Sequence, residues 1–179
     1  MKKILSLLLL VIVTSSSCEK DDICDANTPT TPRLVIEFYN ITSPSTLKNV
    51  TNLKVIGDGM TAGIVFNSGA TGEEQYLANG SKILIPLKTD ANSTKYTFIL
   101  NSGNPNPTLI DTDEVTFIYT RNDVFVSRAC GFKTLFTFVP TNSIFHTAVP
   151  ATKGKWMQAI FVQKNNIDNE NETHVKVYF

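Results

Sequence analysis

The chain has 179 residues, 42% of them apolar and 18% charged, with 16 basic and 16 acidic side chains in balance. That is enough for one domain with a real core, and the balance excludes the basic surface a nucleic-acid partner requires. Its three cysteines and two histidines do not supply four soft or imidazole ligands at short spacing, which argues against a zinc site.

Lys2 and Lys3 open the chain, Ile4 to Val13 is apolar apart from Ser6, and Thr14 to Ser17 are small. This is the layout of a secretory signal. An apolar run of about ten residues falls short of the roughly 20 needed to cross a bilayer, and a core helix would interleave polar positions. Residues 1–17 are therefore predicted to be a signal peptide. The small residues before Cys18 resemble a bacterial lipoprotein box, with Ser15 where leucine is usual, a looseness familiar among Bacteroidota. The resemblance implies that Cys18 becomes the first residue and carries lipid, palmitate included. Several acyl chains on one cysteine hold a protein to a membrane surface without any span. Glu19-Lys20-Asp21-Asp22 resembles the lysine–acid–acid tag that sends some Bacteroidota lipoproteins to the cell surface; otherwise it is a charged tether. Residues 18–32, ending in the Thr/Pro stretch Thr28 to Pro32, are read as that tether. The expected location is the outer membrane, lipid-anchored, with the surface and periplasmic faces both open. Without Lys2 and Lys3 the mature chain carries 14 basic and 16 acidic side chains, a net charge of −2.

Arg33 to Asn40 (RLVIEFYN) alternates Leu34, Ile36 and Phe38 with Val35, Glu37 and Tyr39, the period of a half-buried strand. Pro44 and Ser45 mark a turn before Leu53 to Ile56. Gly57 to Gly59 breaks the chain, Ala62 to Phe66 is read as a short strand, and Gly69 to Gly72 as loop. Lys82 to Leu87 (KILIPL) puts Ile83, Ile85 and Leu87 on one face, and Pro86, which cannot donate, marks an edge strand or strand end. Asp90 to Ser93 then reads as the turn into Lys95 to Leu100, and Ser102 to Pro107 is loop. Glu114 to Thr120, Val124 to Val126, Thr134 to Val139, Trp156 to Gln163 and His174 to Phe179 bring the total to nine or ten strands, with no amphipathic helix. In the last of these, Val175, Val177 and Phe179 face one way and His174, Lys176 and Tyr178 the other. Residues 33–179 are predicted to form a single all-β domain, a two-layer β-sandwich, with a partly closed β-barrel as the alternative.

With Cys18 lipidated, Cys24 and Cys130 remain, and an oxidising envelope makes a disulfide between them the expectation, two separate thiols being the alternative. Redox chemistry at Cys130 lacks a Cys-x-x-Cys partner, and Gly131 would permit a bend at a strand end. His146 and His174 are read as surface or loop histidines. Asp111 to Glu114 is read as a solvated strand cap, since it lacks EF-hand spacing. Glu73 and Glu74, adjacent on a strand, would face opposite ways. Phe66, Phe98, Phe117, Phe136, Phe138 and Phe161 read as mostly core. Tyr39, Trp156 and Tyr178 would make a sugar- or peptide-binding platform if they faced solvent together.

Five stretches resemble the small Bacteroidota lipoproteins grouped as domain of unknown function 6452. They are CEKDDIC (Cys18 to Cys24), PRLVIEFY (Pro32 to Tyr39), ILIPL (Ile83 to Leu87), FVSRACGFK (Phe125 to Lys133) and ETHVKVYF (Glu172 to Phe179). Together they span nearly the whole mature chain. The resemblance implies an envelope location and brings no catalytic or ligand-binding residue with it. The expectation is a non-enzymatic, lipid-anchored envelope protein without cofactor or metal, in a structural or protein-interaction role. Its partners would be the membrane and an envelope protein or glycan, with no nucleic acid. A carbohydrate- or peptide-binding module is the alternative, and an enzyme ranks third.

Overall fold

A computed structural model describes residues 23–28 and 30–179. The signal segment, Cys18 and the charged run after it lie outside the described residues. The described residues divide into two compact units, 23–28 and 30 with 124–133, and 31–123 with 134–179.

The larger unit is all-β and built from two sheets. The strands are β1 (Leu34–Asn40), β2 (Ser43–Leu47), β3 (Leu53–Gly57), β4 (Leu77–Ala78), β5 (Lys82–Ile85), β6 (Ser93–Leu100), β7 (Asp111–Ser127), β8 (Gly131–Phe138), β9 (Ile144–Ala148), β10 (Ala159–Val162), β11 (Asn166–Ile167) and β12 (Val175–Tyr178). No α-helix occurs among the described residues, and no helix there is long and apolar enough to cross a membrane. One sheet has the order β10-β12-β1-β2, with β5 on β1; the other has the order β11-β8-β7-β6-β3-β4, with β9 on β7. The two sheets do not close into a barrel.

Period-two alternation places the core. Leu34, Ile36 and Phe38 of β1, Ile83 and Ile85 of β5, and Val175 and Val177 of β12 are buried from one sheet. Leu53 and Val55, Tyr96 and Phe98, Val115, Phe117 and Tyr119, and Phe136 and Phe138 are buried from the other. Each such side chain contributes roughly 1.5–3 kcal/mol relative to exposure, which is why one apolar face per strand decides the register. β12 runs parallel to β1, with Phe38 opposite Val177, and antiparallel to β10, with Ile160 opposite Val177. The end of the chain therefore lies inside its sheet.

The structure departs from the sequence reading at several elements. Ser43–Leu47 is a strand although every residue in it is exposed. Pro44 is tolerated there because β2 borders only β1. Ala62 to Phe66 is no strand, and only Gly63 bridges to Ile56. Glu114 to Thr120 and Val124 to Val126 belong to one strand of 17 residues. Its polar Thr120 to Asp123 segment is exposed, and pairing with β8 satisfies the backbone without burying side chains. Glu73 and Glu74 sit in a 3-10 turn, Gly72–Tyr76, rather than on a strand, and Glu73 pairs with Lys54.

In the smaller unit the described residues are a short N-terminal stretch and a hairpin tip. Cys24 and Cys130 are disulfide-bonded, with Cα atoms 4.9 Å apart. The Cys130 amide donates to Ser127 Oγ at 3.0 Å. Gly131 follows at φ 70°, a left-handed conformation that L side chains adopt only with strain, so glycine closes this turn.

Candidate functional site

The outward face of the first sheet carries the side chains that alternate with the core set. Tyr39 of β1 and Tyr178 of β12 are register partners, and their rings stack at 5.4 Å with 29° between planes. Phe161 of β10 lies edge-on to Tyr178 at 5.8 Å and is 60% exposed. Lys176, opposite Phe161, places its ammonium 5.1 Å from the Tyr39 ring centroid, a cation–π contact. Leu47, the β2 partner of Tyr39, is also exposed. The result is a strip of aromatic and aliphatic surface crossing four strands.

Polar groups fix one end of this strip. The Tyr39 hydroxyl donates to Glu37 Oε2 at 2.8 Å, and Lys82 pairs with Glu37 Oε1 at 3.0 Å. Burial and the Glu37 carboxylate push the Tyr39 phenol up to about 12, so it stays neutral and donating across physiological pH. Burial alone would raise Glu37, but hydrogen bonds from Lys82, Tyr39 and Thr173 outweigh it and hold the carboxyl below its usual range.

Of the three aromatics read as a platform, the structure brings two together. Trp156 is 8% exposed and belongs to the core, stacked on Phe38 at 6.3 Å and edge-on to Phe179 at 5.4 Å. It precedes β10 and finds a backbone acceptor at the Phe98 carbonyl, which allows an indole to be buried. Phe161 moves the other way: its neighbours Ile160 and Val162 pack on the core, so it must point outward. This corrects the expectation of Phe161 as core, and the alternation within AIFV is the signal in the sequence that points it outward.

Neither histidine lies open on the surface: His146 is on β9 with its side chain mostly covered, and His174 is buried in the segment just before β12. His146 of β9 meets Asp113 of β7 at 2.7 Å, and the Met157 amide donates to the same Oδ2 at 2.9 Å. Asp113 is fully buried, which corrects the reading of Asp111 to Glu114 as a solvated cap. The acids that remain partly solvated are Asp111 and Glu114, in ion pairs with Lys153 and Lys95. A histidine–acid pair can orient an imidazole for proton transfer. Here no serine, threonine or cysteine side chain hydrogen-bonds His146 among the described residues, and the carboxylate ties β9 and Met157 to β7.

His174 is 1% exposed. Its amide donates to the Val35 carbonyl, and its Nδ1 accepts from the Val35 amide, both at 3.0 Å. The ring proton is therefore on Nε2, which has no hydrogen-bond partner among the described residues. Desolvation lowers the His174 pKa from 6.5, against Asp168, Glu172 and Glu170, which favour the charged ring. The unfolded chain thus takes up the proton first as pH falls. Stability from this residue is complete above about pH 6.5 and is lost as pH drops from there through the folded value. The expected result is an unfolding free energy that declines between pH 7 and pH 5, with a shallower slope in His174→Gln; equal slopes in urea titrations would refute the assignment.

A cavity of about 620 Å³ opens beside β5, lined by Arg33, Phe66, Leu77, Asn79, Lys82 and Pro86 among others. Its cations are already engaged, Arg33 in a two-point pair with Glu170 and Lys82 with Glu37. No group of three or more His, Cys, Asp or Glu side chains is placed to hold a metal ion among the described residues.

No curated protein and no solved structure matches this chain. A family model does match, over residues 52–179, which takes in Cys130, Phe161 and the whole of β12 but leaves β1 and Cys24 before it. With that match over more than half its length, the chain belongs to the family of unknown function DUF6452.

Proposed function

We propose that the protein is a non-enzymatic, lipid-anchored component of a Bacteroidota outer membrane that docks an envelope protein on the outward aromatic strip. The supporting sequence features are the signal-like residues 1–17, the box around Cys18 and the tether over residues 18–32. The observation that carries the docking role is the outward strip of exposed Phe161 and Leu47 with half-buried Tyr178 and Tyr39 between them. Aromatic rings clustered at the centre of a face are the usual anchors of protein interfaces, and exposed apolar patches of this kind mark interaction surfaces. A glycan or peptide stacking on the same rings is the second reading, favoured by the Tyr39–Tyr178 pair.

A photo-crosslinking residue at position 161, introduced in the native envelope, should capture a protein. The same residue at exposed Leu109 should not. Phe161→Ser is expected to weaken capture from a neighbouring position at least about tenfold while leaving the unfolding midpoint nearly unchanged. Equal capture from positions 161 and 109 would defeat the docking role. Intact mass of the envelope-derived protein tests the anchor separately, since loss of residues 1–17 with added acyl mass on Cys18 is required.

A further inference from the structure

We infer that the hairpin tip of the smaller unit is a membrane-contact surface, its Phe125 and Phe132 rings entering the interfacial layer of the bilayer that holds the Cys18 lipid. This rests on the lipid anchor proposed above and specifies what that anchor brings to the membrane. Phe125 and Phe132 are 57% and 68% exposed, and their rings meet edge to face at 5.4 Å. They form one apolar projection with no cover among the described residues of the smaller unit. Ile23, beside the disulfide, is more exposed still.

Chain length selects the partner. The Cys24–Cys130 bond ties the tip to a point six residues from Cys18. Six extended residues reach about 20 Å, so the half-cystine cannot lie farther than that from an acyl-bearing Cys18. A protein partner would have to occupy the gap between the tip and the bilayer. The lipid surface is within reach by construction.

Charge does not oppose this arrangement by distance or sign alone. Residues 18–30 and 124–133 carry Lys20, Arg128 and Lys133 against Glu19, Asp21, Asp22 and Asp25. Near-balance leaves the apolar side chains to decide the contact, and phenylalanine is suited to the headgroup–acyl boundary. The acyl chains on Cys18 supply the attachment itself, and the apolar tip adds a contact that fixes how the hairpin meets the surface.

The test uses the full lipidated chain with Phe125→Trp, Phe132→Trp or, as a control, Leu109→Trp. Each is placed in phosphatidylethanolamine/phosphatidylglycerol vesicles whose acyl chains are brominated near the headgroup. Trp156 is common to all and is subtracted using the parent chain. The emission added at positions 125 and 132 should fall by about half or more in brominated vesicles, as for a ring at the headgroup–acyl boundary. The emission added at position 109 should not change. Unquenched emission at both hairpin positions, in protein whose mass shows acylated Cys18, overturns the contact and leaves the anchor standing. Capture of a protein by a crosslinker at position 132, together with unquenched emission, overturns it in favour of that partner. A mass without acyl groups on Cys18 defeats the anchor and the contact together, and is read independently of the fluorescence.

Discussion

Deleting Val177–Phe179 is expected to abolish the folded sandwich. β12 lies between β10 and β1, so the deletion removes ladder partners from both. Phe38 and Tyr39 lose Val177 and Tyr178, while Ile160 and Ala159 lose the same two residues on the other edge. The Phe179 amide donates to the Tyr39 carbonyl, and the Phe179 carbonyl accepts from the Ile41 amide and from Lys48. Its ring packs edge-on against both Phe38 and Trp156. Losing a buried valine and this aromatic contact alone costs about 5 kcal/mol. Whole-domain stabilities are about 5–15 kcal/mol, so no comfortable margin remains. The expected outcome is loss of soluble protein and of the cooperative urea transition. Phe179→Ala is the graded version, expected to cost about 2–3 kcal/mol because the ring is only partly buried. A truncated chain that unfolds at the parental urea midpoint would show that β12 is dispensable.

That prediction was visible in ETHVKVYF because alternating Val175, Val177 and Phe179 at the end of a chain already indicates a half-buried strand. The same rule located β1, β5, β6 and the core residues of β7 and β8. It failed where stabilisation does not pass through a buried face. β2 has no buried residue and exists through its pairing with β1. The 120–123 stretch of β7 is held by its neighbour β8. Such segments leave hydrogen bonds but no hydrophobic periodicity for a sequence to display.

The polar residues were hidden for a different reason. Asp113 stands in the run Asp111-Thr112-Asp113-Glu114, where composition suggests water. Its position is nevertheless on the inward side of β7, in step with Val115 and Phe117, and it is tolerated there because His146 and the Met157 amide meet one oxygen. Those partners come from elements more than thirty residues away. The outward aromatic strip was half legible: Tyr39 and Tyr178 follow from alternation, but only the register of β10 against β12 adds Phe161 and withdraws Trp156.

Loss of the Cys24–Cys130 bond is the second large effect expected. The two residues are separated by 106 positions, so the bond closes a loop containing most of the larger unit's sequence. In the chain-entropy account, a loop of that length stabilises the folded chain by about 4–5 kcal/mol through the unfolded state, and native strain subtracts from it. Cys130→Ser paired with Cys24→Ser is therefore expected to lower the urea midpoint strongly. The slope of the transition should rise, because an unlinked denatured chain exposes more surface. A second effect acts at the tip itself, where Cys24 would no longer be held beside the turn closed by Ser127 and Gly131. Trypsin cleavage at Arg128 and Lys133 should then accelerate under conditions where the larger unit stays folded, since opening at the tip requires only local unfolding. The two readouts separate the contributions. A lowered midpoint with unchanged cleavage assigns the bond to the unfolded state, and faster cleavage at a constant midpoint assigns it to the tip. If both stay constant, the bond stabilises neither, and its remaining consequence is positional: it sets how far the exposed Phe125 and Phe132 can stray from Cys18.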